Sequence, residues 1–156
     1  MSKPITLSSF SVTDKKWLSE LLIDHDVRKF LPHLTTDVDT FAHEMEIAEL
    51  KGLGIFWIIR LDGVGIGFIS IYDLTESPFI FYAMLPAYRN KGYIKKALKM
   101  IEKSNIPSLT TQINTDNIAS LRAIVSTDIN VVVNLAAWSG RCRSCCCPRT
   151  QTMEEM

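Results

Sequence analysis

Arg89, Lys91, Gly92, Lys95 and Lys96 stand in the run LPAYRNKGYIKKAL, residues 85–98. A glycine, a cluster of cations and the start of an amphipathic segment come together there. A helix N-terminus carries unpaired amides and roughly half a positive charge, which suits phosphate. Gly92 lacks the Cβ that would hold a pyrophosphate off the backbone. Arg89 and Lys91, with Lys95 behind them, would add charge around such an anion. A tight strand-to-helix turn with a solvated lysine face would use the same residues. Short glycine patterns arise by chance too often to decide between the two.

Such a site needs a strand before the run and a helix after it. FIFYAML, residues 79–85, is continuously apolar, as a buried strand is, and Pro86 ends its pairing. Ile94, Ala97, Leu98 and Ile101 recur at i, i+3, i+4 and i+7, which predicts a helix from about Lys91 to Lys103 with lysines on its outer face. LTTQI reads as a short strand and NTDNIASLRAI as a capped helix start. Upstream, GIFWIIR and VGIGFISIYDL flank Asp62-Gly63, a strong hairpin turn. The second arm is long enough to be central. Ile5 to Ser8 opens a sheet. Ser11 to Asp14 starts a helical region that carries Trp17, Leu18, Leu21 and Leu22 on one face and runs to Pro32. A second helix starts near Thr36, with Asp39 as capping partner. The order strand, two helices, three strands, helix, strand, helix predicts a mixed α/β (α+β) domain. Its fourth and fifth strands are parallel, because a helix crosses over between them.

Composition narrows the function. A chain of 156 residues suits one domain, and its 17 basic and 17 acidic residues cancel. No global field therefore favours nucleic acid or an anionic membrane, and Arg89 to Lys103 has no interleaved aromatic platform for bases. The N-terminus lacks an export core, and no apolar run approaches the ~20 residues of a membrane helix. The expectation is a cytoplasmic protein with neither nucleic acid nor membrane as partner. Cys142, Cys145, Cys146 and Cys147 lie together in the tail. That clustering argues against a disulfide framework and suits a reducing compartment. Crowded thiols close poorly on one ion, so no metal is expected. After Ile124 the character changes. Residues 1–138 are expected to form the domain and 139–156 a Cys-containing tail without packed structure. Within INVVVNLAAW, Ile129 to Trp138 should pair beside the fifth strand or the same segment of a second copy, which leaves a homodimer open.

Two motifs and the N-terminal half carry a family resemblance. FIFYAMLPAYRNKGYIKKAL resembles motif A of the GNAT N-acetyltransferases, an acetyl-CoA-dependent family with the signature Q/R-x-x-G-x-G/A after a strand. Here the signature reads Arg89-Asn90-Lys91-Gly92-Tyr93-Ile94. NIASLRAI resembles the family's N-x-x-S segment, with Asn117 and Ser120 in the matching places. DHDVRKFLP and the hairpin that follows are similar to the ribosomal-protein N-terminal acetyltransferase branch. The resemblance covers about residues 5 to 124.

That resemblance implies a GNAT-like sheet whose fourth and fifth strands splay apart. The pantetheine of acetyl-CoA would pair with Ala83, Met84 and Leu85. Its pyrophosphate would rest on the amides from Arg89 to Ile94, and Asn117 would bond the arm from the opposite side. An amine acceptor would attack the thioester, with a strand amide near Met84 holding the oxyanion. Ser120 is the candidate donor to the leaving thiolate; a helix-start serine bonded to backbone is the competing reading. Ile94 replaces a small residue. The fourth strand has no glutamate base, which leaves Tyr72, Asp73 and Glu76 to serve a water relay. The closing C-terminal hairpin is expected to be lost or altered. The acceptor wall is expected around Phe30 to His33, with Trp57 and Tyr72 nearby. The implied function is acetyl transfer to a primary amine, on a protein N-terminus or a small molecule. The alternative is a non-catalytic CoA-binding or regulatory module.

Overall fold

The computed structural model describes residues 3–74, 78–103, 108–129, 131–136 and 150–152. Seven strands form one sheet in chain order: β1 (Ile5–Ser8), β2 (Gly54–Leu61), β3 (Val64–Tyr72), β4 (Phe79–Met84), β5 (Leu109–Asn114), β6 (Val131–Ala136) and β7 (Thr150–Thr152). β1 to β4 pair antiparallel, while β4–β5 and β5–β6 are parallel. The mixed α/β architecture is the one the element order predicts. The β2–β3 turn places both Asp62 and Gly63 at positive φ, 52° and 80°. A two-residue turn of this hand matches the twist of the strands it joins.

The period of two in the strands sorts the core into two layers. Phe56, Ile58, Phe68 and Phe81 pack with Leu18, Leu21, Leu22 and Phe41 on one face. Ile59, Ile69, Ile80 and Met84 pack with Ala97, Leu98, Ile101 and Ile124 on the other. The first face is covered by α1 (Lys15–Leu22), α2 (His25–Phe30) and α3 (Val38–Leu50). α4 (Tyr93–Glu102) and α5 (Ile118–Val125) cover the second. Trp57 alternates onto the α4 face with Ile59. It therefore does not stand beside the wall from Phe30 to His33, where it was expected.

The first helical region is two helices rather than one. The Asp24 carboxylate accepts from the amides of Asp26 and Val27 and starts α2 afresh. An aspartate cap at a break outweighs an apolar period that runs through it. Likewise Asp37, not Thr36, caps α3, accepting from the Thr40 amide at 3.3 Å.

Val131 to Ala136 pairs in register with Leu109 to Asn114, so the apolar segment after Ile124 does lie beside β5. β7 pairs antiparallel with β6 at Thr150 to Thr152, inside the stretch expected to hold no element. The outer edge of β6 offers free backbone groups, and two threonines suit a strand that takes them. The cysteines and the rest of that tail lie outside the described residues, as does Glu76.

Candidate active site

β4 and β5 are joined at one register pair, Phe79 with Thr110. The Thr110 amide donates to the Pro78 carbonyl at 2.8 Å. One step further, the Thr111 hydroxyl reaches the Ile80 carbonyl at 2.8 Å, a buried side-chain bond where a ladder bond would otherwise stand. Beyond it the strands part. The gap opens into a cleft of about 400 Å³ lined by Phe81, Tyr82, Ala83 and Met84 from β4, Thr111, Gln112 and Ile113 from β5, and Asn117 to Ser120 at the start of α5. Asp26, Val27, Phe30 and Leu31 of α2 and its link close one side.

The N-terminus of α4 opens into the same cleft. Gly92 is its N-cap with φ 80°, Asn90 also has positive φ at 60°, and no side chain caps the helix. The amides of Tyr93, Ile94 and Lys95 have no acceptor within the helix by construction. A Cβ on Gly92 would touch no protein atom. Glycine is therefore demanded by the left-handed backbone, and the space beside it is left for a ligand. This cradle fits a pyrophosphate: free amides, a helix dipole and an open approach.

Of the residues singled out in the sequence, Ala83, Met84, Arg89, Asn90, Gly92, Tyr93, Ile94, Asn117 and Ser120 line one cleft. Leu85 and Lys91 do not. Ile94 turns toward the core and packs partly buried against it, so its branched side chain takes space beside α4. Arg89 is engaged elsewhere than a phosphate. Its Nε donates to the Met84 carbonyl at 2.9 Å, and its two terminal nitrogens meet Asp26 at 2.9 Å and Asp24 at 2.7 Å. What it offers the cleft is a fixed loop rather than a free charge.

Asn117 caps α5, accepting from the Ser120 amide at 3.3 Å. The Ser120 hydroxyl donates to the Tyr82 hydroxyl at 2.8 Å, and Tyr82 donates to the Ser120 carbonyl at 2.9 Å. Burial pushes the Tyr82 phenol up to about 12, against the lowering effect of the Ser120 bond. It stays protonated at neutral pH and serves as a hydrogen-bond partner. Tyr72 meets Phe79 at a tilt and Phe81 edge-on, with centroids 5.3 and 5.6 Å away; burial first, then the Asp73 charge, raises its pKa.

Sequence reasoning missed three supports of the site. Tyr82 lies inside a continuously apolar run, yet it braces Ser120. Asp24 and Asp26 lie 65 and 63 residues from Arg89, beyond any local pattern. Gly67 lies opposite Met84, where a Cβ would come within 2.5 Å of the Ala83 carbonyl oxygen. A glycine inside a strand is the one local signal of such close approach.

The fold and this cleft define an acetyltransferase of the GNAT type. The model of the acetyltransferase (GNAT) domain matches residues 5–128, and the chain belongs to that family of acetyl-CoA-dependent enzymes. Solved structures share the fold at low identity. RimJ from Mycobacterium smegmatis, in complex with CoA-disulfide, is 16% identical with a TM-score of 0.67, over 78% of this chain and 68% of that one. Spermidine N-acetyltransferase from Vibrio cholerae, with CoA and spermine, is 10% identical with a TM-score of 0.67, over 80% and 79%. The microcin C7 self-immunity acetyltransferase MccE, with acetyl-CoA and AMP, is 15% identical with a TM-score of 0.65, over 83% and 79%. No curated protein matches the sequence. Among the described residues no His, Cys, Asp and Glu group could hold a metal, and no helix is long and apolar enough to cross a membrane.

Proposed function

We propose that the chain transfers acetyl from acetyl-CoA to a primary amine, in the manner of the ribosomal-protein N-terminal acetyltransferase branch. One observation carries this reading: the parallel β4–β5 pair is held at its start and opens toward the uncapped end of α4. Bound acetyl-CoA would supply an acetyl group activated as a thioester. Ala83 and Met84 would orient its pantetheine along β4; Leu85, expected beside them, packs on the α1–α3 face and gives its amide to the Ile66 carbonyl. The amides from Asn90 to Ile94 would hold the pyrophosphate, that of Arg89 being engaged by the Pro86 carbonyl, and Asn117 would meet the arm from the α5 side. The acceptor enters past α2. Its amine must lose a proton, which water near Tyr72 and Asp73 can take, and a strand amide near Met84 stabilises the oxyanion. Ser120, whose hydroxyl donates to Tyr82, would turn that proton to the leaving sulfur. Closure of the sheet by β6 parallel to β5, with β7 outside it, is read as an altered form of the family's C-terminal hairpin.

Calorimetry with CoA and with its 3′-phospho-ADP fragment tests the reading. CoA should bind, and the fragment more weakly. Gly92→Val should weaken CoA at least about ten-fold, because a branched residue resists φ near 80° and fills the cradle. Unchanged affinity in a variant with wild-type circular dichroism would sink the proposal.

A further inference from the structure

We propose that the acceptor carries a carboxylate close to its reacting amine, and that the side-on edge of Arg28 receives it. Nε and Nη2 of Arg28 are shielded from solvent and have no hydrogen-bond partner. Arg89, which lines the cleft, spends its guanidinium on two carboxylates and a carbonyl; Arg28 itself stands behind the lining. Buried donors are almost always paired, and an orphaned guanidinium edge calls for an absent partner. Nε and Nη2 present two parallel N–H groups, the spacing that a carboxylate matches with both oxygens.

The place of Arg28 ties this edge to the acceptor side. It stands in α2, whose neighbours Val27, Phe30 and Leu31 line the cleft. Its charge acts on His33 in the following link: burial first, then Arg28, holds that imidazole below its ordinary pKa. His33 in turn meets Phe81, a cleft residue of β4, edge-on with centroids 5.7 Å apart. Arg28, His33 and Phe81 thus form one corner between α2 and β4, on the face opposite α4 and its phosphate cradle. A cation here disfavours a polyamine and favours an amine with a nearby acid, such as a peptide N-terminus followed by an acidic residue.

This inference deepens the proposed function and rests on the same cleft, but its test is separable. The protein, with and without CoA, is titrated by calorimetry with Ser-Asp amide, Ser-Asn amide and Ser-Lys amide. The acidic dipeptide should bind at least ten-fold tighter than the neutral one, and Ser-Lys amide weakest. Arg28→Gln should erase the preference and leave Ser-Asn amide unchanged; Arg28→Lys, which keeps charge but not the two-pronged edge, should restore it only in part. Equal binding of Asp and Asn amides, binding of neither, or a preference that survives Arg28→Gln would overturn the inference. NMR titration of His33 checks the geometry without turnover: in folded Arg28→Gln its pKa should rise, and no movement would place Arg28 away from this corner. Absence of heat with CoA would defeat the proposed function, while the dipeptide comparison without CoA would still decide this one.

Discussion

Arg60 and Arg89 both grip aspartates, one inside the scaffold and one at the rim of the cleft. Arg60 closes a ring that ties the opening strand to the hairpin and the first helix. Its terminal nitrogens meet both Asp14 oxygens at 2.8 and 2.7 Å, and its Nε meets the Ser8 hydroxyl. Trp17 and the Ser11 amide donate to the same carboxylate at 2.9 and 2.8 Å. The Asp14 side chain is 3% exposed. Arg89 instead divides itself between Asp24, Asp26 and the Met84 carbonyl, and the Asp26 side chain is 53% exposed. The closed ring fixes a scaffold; the divided one joins the acceptor wall to the strand that would carry the acetyl group. Arg28 goes a step further, with an edge that nothing among the described residues satisfies. The two rings differ in exposure: the one inside the scaffold is closed and buried, the one at the rim of the cleft is open and partly exposed.

The largest effect should come from breaking the closed ring. Asp14→Ala leaves the Arg60 guanidinium, 16% exposed, without its carboxylate. Removing one partner of a buried pair costs about 3–5 kcal/mol. Urea and thermal melts should show that loss. A cost under about 1 kcal/mol would mean that Arg60 finds another acceptor and that the ring is not closed.

The contrast also marks what the sequence could disclose. Asp62-Gly63, the i, i+3, i+4, i+7 stripe of α4 and the glycine of the strand-to-helix turn are local signals, and each stands where it was expected. Gly92 was read as sparing room for a phosphate; its positive φ adds a reason that does not depend on a ligand. The partners of Arg89 were illegible, because nothing local couples a loop near residue 89 to a helix cap at Asp24. The break between α1 and α2 was hidden by an apolar period that continues through it. Trp57 was assigned by adjacency, whereas strand alternation sets its face.

The divided ring should give a smaller loss, separable into two parts. Asp24 caps α2 as well as pairing with Arg89. Asp24→Ala removes both and should cost about 1–2 kcal/mol, mostly as the lost cap. Asp24→Asn keeps a good capping oxygen and removes only the charge, so its loss should stay under about 1 kcal/mol. If α2 is held against the cleft by this pair, the asparagine variant should raise the KM for the acceptor more than it lowers the melting temperature would suggest. An unchanged KM would reduce the Arg89 network to scaffold, and the contrast with Arg60 would disappear.

The smallest effect is a difference in acid response. Burial alone would raise the Asp24 pKa, but hydrogen bonds and charge from Arg89, with the amides of Val27 and Asp26, outweigh it and hold the carboxyl below the ordinary aspartate range. A group lowered in the folded state binds its proton more readily when unfolded. Its contribution is therefore fully present above the ordinary aspartate value of about 3.9 and fades as pH falls through the lowered folded value. Asparagine at 24 has no such proton to bind. The gap in unfolding free energy between wild type and Asp24→Asn should thus be widest near neutral pH and narrow on titration toward about pH 3. Asp14 is lowered in the same sense, with burial opposed by Arg60, Trp17 and Ser11, and it persists in both proteins, so it cancels from the comparison. Paired urea melts across that range measure the gap directly. A gap that stays constant with pH would show that Asp24 acts through its cap alone, and that Arg89 draws its hold on α2 from Asp26.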